Sequence, residues 1–184
     1  IMGIQYSVAV NNARLDSIET TAGASPTLEI RSGVAPANAA AADTGTVLAT
    51  LALPADWMGA AAAGSKAKSG TWQDLTADAT GLGGHFRIKQ GATCHIQGLV
   101  SQAWTISTAY LLNQQANNGG NVYRCTTAGT SAGSGGPTGT GTGIADGTAV
   151  WNYVGTADMV LDNTNFNAGQ PFTVNTLTIT ASNQ

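Results

Sequence analysis

The chain has 184 residues, 42% of them hydrophobic, which is enough for one good core, but only 9% are charged. Soluble domains usually carry about 25% charged residues, so solubility here rests on Thr, Ser, Asn, Gln and Gly, and salt has few charges to screen. A net charge of −3, with seven scattered Lys and Arg and no basic stripe, argues against nucleic acid, and no run approaches the ~20 apolar residues of a membrane span.

The start of the chain reads without a signal peptide, since Ile1-Met2-Gly3 leads straight into polar, amphipathic sequence. The first segment carries the one convincing helical pattern. Ile4, Val8, Leu15, Ile18 and Ala22 recur at steps of three and four, with Asn11 or Asn12 filling the gap. Ser7 supplies an N-cap and Gly23 a stop. So short a helix must dock, either on its own sheet or on a neighbouring subunit as an assembly helix.

Beyond Gly23 the pattern turns to strands. Thr27–Arg31 alternates apolar and polar residues, and an Ala-rich loop over Ala37–Asp43 leads to a strand over Thr46–Leu53. Pro54-Ala55-Asp56 predicts a short helical turn through Met58, and Ala60–Gly70 a loop. Strands follow at Gly70–Trp72, His85–Lys89 and Thr93–Gly98, the last two joined by a three-residue hairpin loop, Gln90-Gly91-Ala92. Ala157–Leu161 and Phe172–Thr180 complete the series. In the final strand Phe172 and Val174 have one parity and Leu177 and Ile179 the other, so a β-bulge near Asn175-Thr176 is needed to keep all four on the core face.

Residues 103–155 differ in character. They hold Trp104, Trp151, Tyr110, Tyr123 and Tyr153, together with a run over Gly129–Gly143 in which seven of fifteen residues are Gly. The expectation is a small inserted β module with a mobile Gly-rich tip, carried by a discontinuous parent of residues 1–102 plus 156–184. Trp104, Tyr123, Trp151 and Tyr153 have two readings, a surface for stacking on sugars or the mini-core of a module short of aliphatics, and the second is favoured.

Catalytic groups are scarce. His85 and His95 flank the predicted hairpin and could face each other across it, but no third metal ligand stands out. Asp74 and Asp78 read as turn residues, and there is no Gly-x-Ser-x-Gly elbow. Gly133-Ser134-Gly135-Gly136-Pro137 lacks the Lys-Ser/Thr of a phosphate loop. Cys94 and Cys125 read as small buried hydrophobes, with pairing left open. The chain is expected to be neither an enzyme nor a cofactor or metal binder.

The runs Asn12–Thr20, Ala24–Arg31, Leu53–Met58, Ser65–Trp72, Gly84–Ile88, Thr93–Gly98 and Asp158–Asn163 resemble a group of small tailed-bacteriophage virion structural proteins. Val122–Thr130 and Asp146–Tyr153 resemble a module of phage fibre and decoration proteins. The resemblance implies a protein on the outer surface of the virion, with no catalytic residues to carry over. The expected fold is mainly β, an antiparallel β-sandwich with one N-terminal helix and an inserted small β module. The expected function is capsid decoration (cementing), with the major capsid protein and the chain itself, as a homotrimer, for partners. The alternative is a tail or head-fibre module that binds host-surface glycans.

Overall fold

The structure, a computed structural model, describes residues 5–181. It is mainly β, with one helix followed by a large sheet. The helix α1 spans Val8–Ala22; strands β1 (Thr27–Ser32), β2 (Val47–Ala52), β3 (Ser65–Ala67), β4 (Gln73–Asp74), β5 (Gly81–Gln90) and β6 (Thr93–Ala103) follow. Next come β7 (Ala109–Tyr110), β8 (Gln115–Asn118), β9 (Asn121–Thr127), β10 (Gly129–Thr130), β11 (Ile144–Asp146) and β12 (Ala149–Thr156). Strands β13 (Met159–Leu161), β14 (Asn165–Phe166) and β15 (Phe172–Thr180) close the chain. Pairing is antiparallel except where β6 runs parallel to β13 and to β8.

Side chains from β1, β2, β5 and β6 meet those of β13 and β15 across one apolar core, the arrangement of a sandwich. Leu28, Ile30, Phe86, Ile88, Met159 and Val174 are all essentially buried there. Trp57 and Trp72 join them, with ring centroids 6.2 Å apart. Trp57 also donates its indole N–H to Gly23 O (3.1 Å), tying the helix end to the core. The parity change in β15 is resolved by a bulge: Leu161 pairs with Val174 and Val160 with Thr176, leaving Asn175 unpaired. Phe172, Val174 and Leu177 are buried and Ile179 packs half-buried on the same core.

Helix α1 is capped as its sequence requires. Ser7 Oγ accepts from Val10 N–H (3.3 Å), and Gly23, at φ +80°, returns its N–H to Glu19 O. Its docking is not the expected apolar stripe. Leu15 is buried and Ile18 half-buried against the core, but Val8 is 56% exposed, and Ile4 lies outside the described residues. Polar side chains on one face do most of the work. Glu19, Asp16 and Asn12 accept the backbone N–H groups of Met58, Ala61 and Gly64, at 3.1, 3.0 and 2.9 Å. Lys66 Nζ then reaches Asp16 (2.8 Å), Glu19 (3.1 Å) and Gly59 O (2.8 Å), with its side chain only 2% exposed.

Three local expectations need correction. Pro54–Met58 forms a bend rather than a helical turn, because Trp57 and Met58 are pulled into the core. The stretch read as a loop, Ala60–Gly70, contains β3, which pairs with the end of β15. The strand expected at Gly70–Trp72 is displaced to Gln73–Asp74, because the Trp72 indole N–H bonds back to Ser69 O.

Lys66→Ala removes the ammonium from Asp16, Glu19 and Gly59 O and also empties the space of its buried stem, whereas Lys66→Met keeps the stem. Lys66→Ala should destabilise the fold by about 2–5 kcal/mol in urea denaturation, and Lys66→Met by clearly less. Equal losses in the two variants would show that the packing of the stem contributes nothing and that the bonds of the ammonium carry the whole effect.

Candidate functional site

Two polar assemblies and one aromatic module hold the chemistry-bearing residues. The first assembly covers the outer face of β1 and β5. Alternation places Glu29 and Arg31 of β1 beside Arg87 and Lys89 of β5. Asp43, from the Ala-rich loop, meets Lys89 Nζ at 2.7 Å, Arg87 Nε at 3.0 Å and Arg31 Nη2 at 3.1 Å. Glu29 pairs with Arg31 (2.8 Å) and Lys89 (3.2 Å). Arg87 Nη2 also donates to Ala39 O and Ala41 O (2.6 and 3.0 Å), so the loop is fastened along its length.

The Lys89 hydrogen bond holds the Asp43 carboxyl below its ordinary value, against the opposing effect of burial. Lys89 is raised by the same bond. At Lys66 burial opposes the charge, but hydrogen bonds that the ammonium donates to Asp16 and Glu19 outweigh it and keep its pKa above the usual value. Every one of these shifts stabilises an ion pair. None poises a group for proton transfer near neutrality.

His85 and His95 are not brought together. The hairpin loop has two residues, Gly91-Ala92, because Gln90 pairs with Thr93. The extra residue moves into the strand: Ile88 pairs with Ile96 and Lys89 with Cys94, so His95 sits in a bulge while His85 opposes Leu99. His85 is fully buried, its Nδ1 3.3 Å from Gly33 O. Burial lowers its pKa, and Arg31 and Arg87 add to the effect. Among the described residues no three His, Cys, Asp or Glu side chains are grouped to hold a metal. Cys94 and Cys125 are both free thiols, and burial raises the Cys125 pKa. Asp74 Oδ1 accepts from Thr76 N–H, and Asp78 Oδ2 from the Thr50 hydroxyl, so neither faces the other as a catalytic pair.

The aromatic residues of 103–155 build a second apolar cluster, around Tyr110, Tyr123, Cys125 and Trp151. Tyr110 meets Trp151 edge-on at 4.8 Å, and Tyr123 meets Tyr153 at 6.1 Å. Tyr123 and Trp151 are buried and unavailable to a ligand; Trp104 and Tyr153 are half-buried. Sequence reasoning missed Asp146, the central strut. Its carboxylate accepts both indole N–H groups, from Trp104 (2.7 Å) and Trp151 (3.2 Å), and the Ala132 N–H (2.9 Å).

The Gly-rich run is no free tip. Asn118 Nδ2 donates to Gly135 O and Pro137 O, Tyr123 OH to Gly139 O, and Tyr153 N–H to Gly141 O. The run lies as a strap across the aromatics, so close that a Cβ at Gly136 would stand 2.9 Å from the Trp104 ring. The cluster is joined to the rest of the chain by one continuous sheet and by glutamines. Gln115 Nε2 donates to Gly84 O and Val100 O, and Gln102 Oε1 accepts from Gln114 Nε2 and Thr164 Oγ1.

No family model, curated protein or solved structure matches the chain.

Two measurements follow. His85 has a lowered pKa in the fold, so the folded state binds fewer protons than the unfolded one as pH falls below about 6.5. Stability should decline as pH drops from there, and a second loss should begin below about 4 as Asp43 protonates. His85→Asn should flatten the first decline in thermal melts and leave the second. Asp146→Ala strands two indole donors at about 1–3 kcal/mol each. It should red-shift tryptophan emission and expose Gly129–Gly143 to protease while β1 and β5 keep their hydrogen-exchange protection; an unchanged emission maximum would refute the strut role.

Proposed function

We propose that the chain is a bacteriophage virion structural protein that decorates the assembled head. It would seat on the outer surface of the major capsid protein and cement subunit joints, most simply as a homotrimer. The observation that carries the reading is how the charges are used. Arg31, Lys66, Arg87 and Lys89 form ion pairs within the chain, and nine of its ten acids hold a backbone or side-chain partner in place. The surface left over is Thr, Ser, Asn, Gly and Ala with scattered exposed apolar residues such as Val8, Val34, Leu75, Ile106 and Leu112. Such a surface suits many weak, uncharged contacts repeated by symmetry, where multivalency converts modest affinity into firm retention. The resemblance of the runs in 12–98 and 158–163 to tailed-phage virion proteins supports the phage setting. Residues 103–155, with their own aromatic cluster, would stand as the outward module of this assembly.

Glycan binding at a fibre is the weaker reading, because the glycine strap crosses the aromatics it would use and Tyr123 and Trp151 are buried. Electron microscopy of intact particles labelled for this chain tests the choice. Density on capsid lattice points is the expected result, and density confined to the tail tip would transfer the role to host attachment. Retention on heads should also change little between about 0.1 and about 1 M salt, since few exposed charges remain to screen. A steep fall in retention over that range would contradict uncharged docking.

A further inference from the structure

Strand β13 fills only part of the lane between β6 and β15. Met159, Val160 and Leu161 pair with Val100–Gln102 on one side and with Val174–Leu177 on the other. Before Met159 the chain leaves the lane, since Ala157 N–H bonds to Gly120 O. The lane itself continues as an open cleft of about 710 Å³ between the two strands. Consecutive residues of both parities line it, His95-Ile96-Gln97 from β6 and Thr178-Ile179-Thr180 from β15. A strand lines a cavity with both parities only when its hydrogen-bonding edge, not a face, is turned toward it.

Neighbouring bonds show which backbone groups point in. Leu99 N–H is turned toward the lane, donating to Asp158 Oδ2 (2.9 Å), so Gln97, two residues earlier, turns its N–H and C=O the same way. On β15, Leu177 O accepts from Lys68 N–H and Ala181 N–H donates to Gly64 O, both on the β3 side. Alternation then turns Thr178 and Thr180 toward the lane: Thr178 lies opposite Asp158 at the end of the β13 ladder, and the N–H and C=O of Thr180 face the cleft beyond it. Among the described residues no backbone partner meets the cleft-facing groups of Gln97 and Thr180. Gln97 adds a buried Oε1 that accepts no hydrogen bond, although its Nε2 is held by Pro36 O.

The floor is apolar, formed by Ile18 of α1 with Phe86, Ile96 and Leu177. It is kept open at Gly98, where a Cβ would stand 2.7 Å from Asp158 and 2.8 Å from Phe86. Asp158, at the head of the lane, is the one acid lining the cleft, and no Lys or Arg lines it.

We infer that this cleft is a strand-acceptor site, which takes an extended peptide segment of a partner protein between β6 and β15. The peptide continues the lane of β13, pairs its backbone with Gln97 and Thr180, lays alternate apolar side chains on the floor, and sets an amino terminus or a single basic residue against Asp158. A second copy of the chain fits less well, because the strands of residues 5–181 are all already paired within their own fold. The inference deepens the decoration reading, on which it rests for the partner's identity.

The test uses the isolated full chain and a fluorescent synthetic peptide of about eight residues, alternating Val and Thr, with a free amino end. Anisotropy should report saturable binding, and hydrogen exchange should show new protection at the Gln97 and Thr180 amides. Thr180→Pro removes a cleft-facing N–H while sparing the ladder to β3, and should weaken binding up to about tenfold. The same peptide N-methylated at alternate backbone amides should not bind the unmodified protein, which keeps the test decisive if the proline variant fails to fold. Acetylating the peptide's amino end should weaken binding. No binding, or binding indifferent to N-methylation, overturns the site; self-association abolished by Thr180→Pro would assign it to a second copy instead. Peptide capture without attachment to heads would sink the decoration reading and leave the cleft standing.

Discussion

A cation removed from water is tolerable only with its counter-charge beside it, and this fold places most of its few cations that way. Lys66 is the clearest case. Its ammonium lies beneath α1, and the acids it requires, Asp16 and Glu19, also take the backbone N–H groups of the segment that crosses the helix. The ion pairs and the loop path are therefore one arrangement: moving the helix would strand an ammonium and free two amides together. Asp43 does the same on the outer face of β1 and β5, where three cations of those strands fix a loop whose alanines could not hold it themselves. With most of its cations used as latches, the chain keeps few unpaired charges on a surface that is otherwise polar and uncharged.

The aromatic cluster follows the same economy with hydrogen bonds in place of ion pairs. Its apolar side chains are few, so Tyr110, Tyr123 and Trp151 supply the buried area, and each brings a polar atom that burial obliges it to satisfy. Asp146 answers two indoles; Thr105 N–H answers the Tyr110 hydroxyl, and Gly139 O accepts from that of Tyr123. The partners are drawn from the connecting segments, and this turns a glycine-rich stretch into part of the module's wall.

Much of this was legible in the residues. Parity alone placed a bulge near Asn175-Thr176, because four apolar residues could not share a face without one extra position, and Asn175 is the residue left unpaired. Ser7 and Gly23 bounded the helix through their capping chemistry. What escaped was long-range. Asp16 and Glu19, three apart on a helix, look like any solvated pair until Lys66, fifty residues on, is placed under them. Strand β3 was hidden in small residues because its pairing with β15, not its own propensity, makes it a strand. The Gly run looked mobile because it has no side chains to pack, yet it is held through its carbonyls, which no residue pattern advertises. The cleft beside β13 was equally invisible, since an edge is free only when one knows where every other strand has gone.

That mode of holding the strap has an evolutionary consequence. Carbonyl oxygens of Gly135, Pro137, Gly139 and Gly141 are what the module grips, while Thr138, Thr140 and Thr142 between them project outward and bond to nothing in the interior. Grip and display are carried by different atoms of the same segment. The threonines are free to drift, to acquire new chemistry or to accept grafted sequence, without renegotiating the fold beneath them. An engineer seeking a display frame has three alternate positions on a rail that is held through its backbone.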